Sequence, residues 1–278
     1  MAHAPAQPTA VNAFDGAGAA PAAQTTYPVI VVGAGFAGIG AAIRLRQAGI
    51  NFLLLEKGNE IGGVWRDNSY PGCGCDVPSA LYSYSFAPNP RWSQFFAQQG
   101  EIKDYTRRTA EQFGVMDRVR LQHELLEARW VDAQKLWRLH TSAGVYWAQF
   151  VVMASGPMHV PVLPHIKGLD TFTGVHFHSA RWDHGYDLRG KRVAVIGSGA
   201  SAIQFVPHIA PLVQRLTLFQ RTAPWVLPKF DPPISARWHH HGPAQAHCHH
   251  RGRPRTPGQL QPPSPSRATN HGVEQRLL

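Results

Sequence analysis

The sequence predicts an α/β fold in which one strand–turn–helix–strand pattern occurs twice. The first copy spans residues 28–56 and the second spans residues 192–219, and in each a short apolar strand leads into a cluster of glycines and small residues. The strands are continuous apolar runs rather than alternating ones, which is typical of parallel strands with both faces covered. We therefore expect two Rossmann-like units in one chain.

The first unit consists of two strands, 28–32 and 52–55, with a helix between them. Three apolar residues recur at helical spacing inside that helix, and Gly49 is expected to end it. These three residues are Ile39, Ala42 and Ile43.

Between the two units lie a long loop and several shorter elements. Residues 57–100 are rich in Gly, Pro, Asn and aromatic residues, and loops of that length usually carry function. A helix is expected near 101–113. Strands are expected at 121–130, 136–141 and 146–153. The second unit then has strands at 192–196 and 216–219 with a helix over about 200–210.

The first glycine cluster has the spacing of a dinucleotide-binding turn, Gly-X-Gly-X-X-Gly. Gly33 would permit the tight turn, Gly35 would let the backbone approach a pyrophosphate, and Gly38 would allow close contact between helix and strand. Glu56 ends the following strand 18 residues after Gly38 and would accept hydrogen bonds from ribose hydroxyls. A plain glycine turn is the alternative, but strand, helix and terminal acid together favour a dinucleotide. The cluster comprises Gly33, Ala34, Gly35, Phe36, Ala37 and Gly38.

The second cluster differs from the first at its acidic position. Ala202 takes the third glycine position of this cluster, and 18 residues after it stands Gln220, followed by Arg221 and Thr222. The strand end therefore carries a cation instead of a carboxylate. A guanidinium there would pair with a 2′-phosphate, which favours NADP over NAD, whereas a surface Arg without a ligand is the alternative. The cluster comprises Gly197, Ser198, Gly199, Ala200, Ser201 and Ala202.

The formal net charge of +10 does not indicate a protein that binds nucleic acid. Residues 236–278 supply +5 of it through six Arg and a single acid, and no recognition helix or aromatic-basic pattern accompanies the charge. No apolar run approaches the roughly 20 residues that span a bilayer, and residues 1–26 lack the pattern of a signal peptide. Three cysteines are too few for a disulfide framework. We expect a cytoplasmic protein.

The segment before the second unit carries a motif typical of one flavoprotein class. Five residues at fixed spacing form it, namely Phe172, Gly174, His178, Trp182 and Asp183. Together with the two glycine clusters, this motif resembles that of the Baeyer–Villiger monooxygenases. N-oxygenating relatives end the motif differently, and disulfide reductases need a spaced cysteine pair that Cys73 and Cys75 do not form. Those two cysteines are expected to be unreactive.

The resemblance implies FAD in the first unit and NADPH in the second. Such an enzyme passes hydride from NADPH to FAD and uses dioxygen, through a flavin peroxide, to insert one oxygen atom into a ketone; a sulfide is the alternative substrate. In that family the equivalents of Val64, Trp65, Asp76 and Tyr82 lie near the cofactor, and Asp76 helps to orient an active-site Arg that has no match here. A non-catalytic nucleotide-binding fragment and a flavin-dependent N- or S-oxygenase are the competing hypotheses.

The sequence divides into a disordered tail (1–26), an FAD-binding domain (27–165), a linker with an NADP-binding unit (166–235) and a second tail (236–278). The NADP-binding unit is expected to be incomplete, because only 44 residues, 192 to 235, precede the change in composition and a whole doubly wound domain needs about 100. The His-, Pro- and Arg-rich second tail cannot form a core and lacks the spacing of a zinc site. We expect non-native sequence there, as after a frameshift, on a truncated chain without turnover; a genuine disordered tail is the alternative.

Overall fold

Six strands form the main sheet of the protein, whose computed structural model describes residues 26–234. They are β1 (Thr26–Val32), β2 (Phe52–Leu55), β3 (Val119–Arg120), β4 (Leu125–Val131), β5 (Leu136–Thr141) and β6 (Gly144–Met153). Across the sheet their order is β3-β2-β1-β6-β5-β4; the first four of these are parallel, and β5 and β4 are antiparallel to their neighbours. The tails expected at 1–26 and 236–278 lie outside the described residues, except that Thr26 opens β1.

β1 lies in the middle of the parallel part of the sheet. Its Ile30 pairs with Leu53 of β2 on one side and with Val151 of β6 on the other. Ile30 and Val31 point to opposite faces, and both are fully buried because each face of the sheet is covered. This burial explains why the strand is a continuous apolar run, as predicted.

Helix α1 (Phe36–Gln47) packs on one face of this sheet together with α3 (Gln99–Gln112). The three residues predicted to form its apolar stripe, Ile39, Ala42 and Ile43, are buried there. The helix ends where expected, since Ala48 caps it and Gly49 follows with a φ of +69°. A short helix, α2 (Val64–Asp67), interrupts the long loop that follows β2.

The antiparallel strands contribute to the core on the other face, where Leu139 of β5 and Ala148 of β6 are buried. β4 begins at Leu125 rather than at residue 121, because the chain turns at Gln122, whose φ is +58°. Just before this turn the two residues of β3 pair with β2. A strand of two residues is too short to produce a hydrophobic pattern, so it could not be predicted from the sequence.

The second unit consists of β7 (Arg192–Ile196), α4 (Ala200–Ile209) and β8 (Arg215–Phe219). Its two strands are parallel, and α4 packs on them through Ala202, Phe205 and Ile209. Several apolar side chains of the strands remain exposed, as the prediction of an incomplete unit implies; they are Ile196, Leu218 and Phe219. The predicted α/β class with two Rossmann-like units is confirmed within the described residues. That the second unit is incomplete stays a prediction.

Candidate dinucleotide sites

The first glycine turn has almost no room for side chains. Gly33 has a φ of +101°, and its N–H donates to the Leu55 carbonyl at 2.7 Å. A Cβ on Gly33 would lie 2.5 Å from the Ala154 carbonyl oxygen, and one on Gly38 would lie 1.7 Å from the Gly33 carbonyl oxygen. The turn and the close contact between helix and strand thus depend on these two glycines, in agreement with the roles that the sequence predicts.

The N-terminus of α1 is suited to a pyrophosphate. Gly35 is its N-cap residue, no side chain caps the helix, and its first turn contains no acid. The first N–H groups of the helix therefore have no intrahelical partner and carry partial positive charge. Gly63 lies opposite, and a Cβ placed on it would be 2.9 Å from the Gly35 Cα. Backbone rather than side chains borders this position, which fits a phosphate-binding turn.

Glu56 is 4% exposed and is held from three sides. Its Oε2 accepts from the Ala34 N–H at 2.8 Å, inside the glycine turn. Its Oε1 accepts from the Gly58 N–H at 2.8 Å and from Arg66 Nη1 at 2.7 Å. The carboxylate is thus fixed beside the turn, where a ribose would have to share these oxygens. That Glu56 binds ribose remains a prediction.

Arg66 is a site residue that sequence reasoning missed. Besides its ion pair with Glu56, its Nε donates to Asp67 Oδ1 at 2.7 Å. Burial disfavours the guanidinium charge, but the hydrogen bonds and ion pairs with Asp67 and Glu56 outweigh burial and raise the pKa of Arg66. Nothing in the spacing of these residues signals the contact, because α2 and the end of β2 meet only in the folded chain.

Three aromatic side chains gather beside the start of α1. Trp65 donates from Nε1 to the Tyr82 hydroxyl at 2.9 Å, and the two rings meet edge to face with centroids 5.5 Å apart. Phe36 lies 5.1 Å from the Tyr82 ring. Burial raises the pKa of Tyr82, so its phenol stays neutral. The structure thus brings together Phe36, Trp65 and Tyr82, while Val64 lies half-buried at the start of α2.

Asp76 is exposed and meets two residues from the far end of the described chain. Its Oδ1 accepts from Gln204 Nε2 at 3.0 Å and from Lys229 Nζ at 3.3 Å. Lys229 also donates to the Cys75 carbonyl at 3.0 Å and lies 4.6 Å above the ring of Phe96. The cation that contacts Asp76 within residues 26–234 is therefore a lysine. Sequence reasoning identified neither partner, because 128 and 153 residues separate them from Asp76.

Cys73 and Cys75, which precede Asp76 in the chain, are free, buried thiols. Burial raises the pKa of both thiols, which keeps them protonated at neutral pH. This agrees with the expectation that they are unreactive. Cys248 and the His cluster near it lie outside the described residues.

The second glycine turn is open to solvent. Gly197 has a φ of +103° and donates its N–H to the Phe219 carbonyl at 2.8 Å. A Cβ on Gly197 or Gly199 would meet no atom of the described residues within 4 Å. Gly199 is the N-cap residue of α4, and the helix has no capping side chain and no acid in its first turn. Space and free N–H groups are thus both available for a phosphate.

Arg221 and Thr222 follow β8 and are exposed. Within residues 26–234 Arg221 has no hydrogen bond or ion pair. No side chain of this part of the chain therefore competes with a ligand for its guanidinium. Pairing with a 2′-phosphate remains a prediction.

The Phe–Gly–His–Trp–Asp motif crosses between the two units. His178 Nδ1 accepts from the Ala180 N–H at 3.0 Å and so caps the short helical turn Ser179–Arg181. Trp182 packs against Phe205 of α4 with ring centroids 5.2 Å apart. In this arrangement His178 has a structural role, because its ring nitrogen caps the short helical turn.

Among residues 26–234 there is no group of three or more His, Cys, Asp or Glu side chains that could hold a metal ion. In the same range no helix has both the length and the hydrophobicity to cross a bilayer.

Comparison with known proteins identifies related sequences and structures. The model of the family described as pyridine nucleotide-disulphide oxidoreductase matches residues 30–239. A Baeyer–Villiger monooxygenase of Streptomyces coelicolor is 55% identical over 208 residues, which cover 74% of this chain and 40% of that protein. One from Pseudomonas aeruginosa is 51% identical over 217 residues, covering 77% and 41%.

Solved structures are similar to this chain as well. A steroid monooxygenase bound to NADP superposes with a TM-score of 0.72 at 39% identity, over 78% of this chain and 43% of that one. The complex of OTEMO with FAD and NADP gives a TM-score of 0.72 at 37% identity, over 76% and 42%. The chain spans about two fifths of the length of the relatives that it matches.

Proposed function

We propose that this chain, which belongs to the pyridine nucleotide-disulphide oxidoreductase family, is a Baeyer–Villiger monooxygenase that depends on FAD and NADPH. The reaction would insert one oxygen atom of dioxygen into a ketone. The two relatives are named for this chemistry, and of the two similar structures described above one is a complex with FAD and NADP and the other is bound to NADP. The protein is proposed to act in the cytoplasm.

The observation that carries the proposal is the opposite charge beside the two glycine turns. A buried carboxylate, Glu56, lies against the first turn, whereas the exposed Arg221 follows the strand of the second. A carboxylate suits the free ribose hydroxyls of FAD, and a guanidinium suits the 2′-phosphate of NADPH. Residues 27–165 would thus bind FAD, and residues 166–235 would contribute the NADP site.

In the first site, each residue would have a role toward FAD. The N-terminus of α1 would bind the pyrophosphate, and Glu56 would orient the ribose. Trp65 and Tyr82 would exclude water from one side of the cofactor, and Asp76 would orient the charged groups near it. When bound, FAD supplies the redox and oxygen chemistry, which no side chain of the protein can provide.

The proposal is tested by cofactor binding followed by reduction and product analysis. FAD is titrated into the purified protein, and its absorbance and fluorescence report binding. NADPH is then added without oxygen, and bleaching of the flavin spectrum reports hydride transfer; NADH serves as the comparison. Finally a cyclic ketone and an aryl sulfide are each supplied with oxygen, and the products are identified.

Each outcome selects one hypothesis. Ester or lactone formation from the ketone supports Baeyer–Villiger oxidation, and oxidation of the sulfide alone supports the S-oxygenase alternative. FAD binding without reduction by NADPH indicates a non-catalytic nucleotide-binding protein. Failure to bind FAD refutes the proposal.

A further inference from the structure

We propose that Gln204 is a positioning residue that couples the second dinucleotide site to Asp76, so that a nucleotide bound at the start of α4 immobilises residues 70–76. The inference rests on the proposed function, because it assumes that NADP binds at Gly197–Ala202. It concerns a contact between the two units that neither glycine fingerprint includes.

The hydrogen bonds of Gln204 carry the argument. Its Oε1 accepts from the Tyr70 hydroxyl at 2.9 Å and from the Gly74 N–H at 3.3 Å. Its Nε2 donates to the Gly74 carbonyl at 3.0 Å and to Asp76 Oδ1 at 3.0 Å. Two donor hydrogens and two accepting positions are the whole capacity of a side-chain amide. All of it is directed at one loop, and one of the four bonds fixes the Asp76 carboxylate.

Packing beside the amide makes the connection stiff. Tyr70 and Cys73 are buried in the same apolar cluster as Phe205 and Ile209 of α4. The loop backbone also lies directly on the helix, since a Cβ on Gly72 would be 2.3 Å from the His208 ring. Close-packed contacts of this kind transmit small displacements instead of absorbing them. Residues 70–76 should therefore follow any movement of α4.

The position of Gln204 in the helix links it to the nucleotide. It is the fifth residue of α4, so about 6 Å of helix axis separates it from Ala200, where the phosphates would bind. A phosphate that orders the first turn of α4 would thus stiffen the helix one turn before Gln204. An apolar side chain could fill the same space, but it could not select one orientation of Asp76.

Hydrogen exchange of the full chain, with and without saturating NADP⁺, tests the proposal. Mass spectrometry measures the exchange in peptides that cover 70–77 and 197–203. Gln204→Met removes all four hydrogen bonds while keeping the length of the side chain. Tyr70→Phe removes one of them and retains the ring. Gln47→Met is the matched control, because Gln47 is exposed at the end of α1 and its hydrogen bond is to Arg44 of the same helix.

In the wild type, NADP⁺ should slow exchange in both peptides. In Gln204→Met, exchange in 70–77 should be about tenfold faster without nucleotide, and NADP⁺ should protect 197–203 alone. Tyr70→Phe should show a smaller effect in the same direction, which tests the hydrogen bonds of Gln204 even if Gln204→Met does not fold. Gln47→Met should behave as the wild type.

Two results would overturn the coupling while leaving the proposed function intact. In the first, NADP⁺ protects 197–203 in the wild type but leaves 70–77 unchanged. In the second, NADP⁺ slows exchange in 70–77 equally in the wild type, in Gln204→Met and in Tyr70→Phe. If NADP⁺ does not protect 197–203 in the wild type, the proposed NADP site is wrong and the coupling fails with it.

Discussion

Replacement of Gly38 by alanine should destabilise the protein, although alanine is the better helix former. Gly38 is the third residue of α1, and the added Cβ would lie 1.7 Å from the Gly33 carbonyl oxygen and 2.9 Å from its carbon. Both are backbone atoms of a turn whose N–H is itself bonded to β2, so they cannot move aside as a flexible side chain could. The helix must therefore shift away from β1.

The magnitude follows from two opposing effects. Alanine gains about 1 kcal/mol over glycine in a helix interior, whereas overpacking costs about 1–3 kcal/mol and more where backbone must move. Because the contact lies well inside any van der Waals distance, we expect the overpacking cost to reach about 3 kcal/mol or more, and hence a net loss of about 2 kcal/mol or more in the free energy of unfolding.

Urea unfolding of the wild type, Gly38→Ala and Gly100→Ala measures the effect. Gly100 lies in α3, and a Cβ there meets no described atom within 4 Å, so this control should gain about 0.5–1 kcal/mol. The transition midpoints should move in opposite directions at an unchanged slope. A Gly38→Ala variant that is as stable as the wild type would show that the tight contact between helix and turn does not exist.

Three further predictions concern the sites themselves. Gly35→Val should abolish FAD binding while the protein stays folded, because its Cβ would face Gly63 at 3.5 Å across the proposed phosphate position; undiminished flavin content would refute the assignment. Arg221→Ala should weaken NADPH by about 1.5–3 kcal/mol and NADH little, and Arg215→Ala should affect neither; equal effects on both nucleotides, measured by titration, would contradict the 2′-phosphate role. Arg66→Met should cost about 3–5 kcal/mol in urea unfolding, since it leaves the buried Glu56 without its cation; a loss under about 1 kcal/mol would argue against the ion pair.

The features that the sequence predicted are those that depend on local rules. The strand 52–55 has the predicted bounds, because it is buried and apolar at every position. The strand 192–196 also has the predicted bounds, because Val193–Ile196 form a continuous apolar run, although Val195 alone among them is buried. Gly33 and Gly197 both have the left-handed φ that the fingerprint requires. β3 escaped prediction because it has two residues and pairs through its backbone, which any sequence can do.

Gln204 shows why the polar contacts between the units could not be read from the sequence. On α4, Ala202 and Phe205 define the buried stripe, and Gln204 lies about 100° from Phe205 around the helix, at the edge of that stripe. A glutamine at such an edge is normally solvated, so the helical pattern assigns it no role. Its role is determined by the loop at 70–76, which packs on this helix through an apolar cluster drawn from both units. Apolar packing therefore brings the two units together. The amide of Gln204 then selects one orientation of the Asp76 carboxylate through its hydrogen bond.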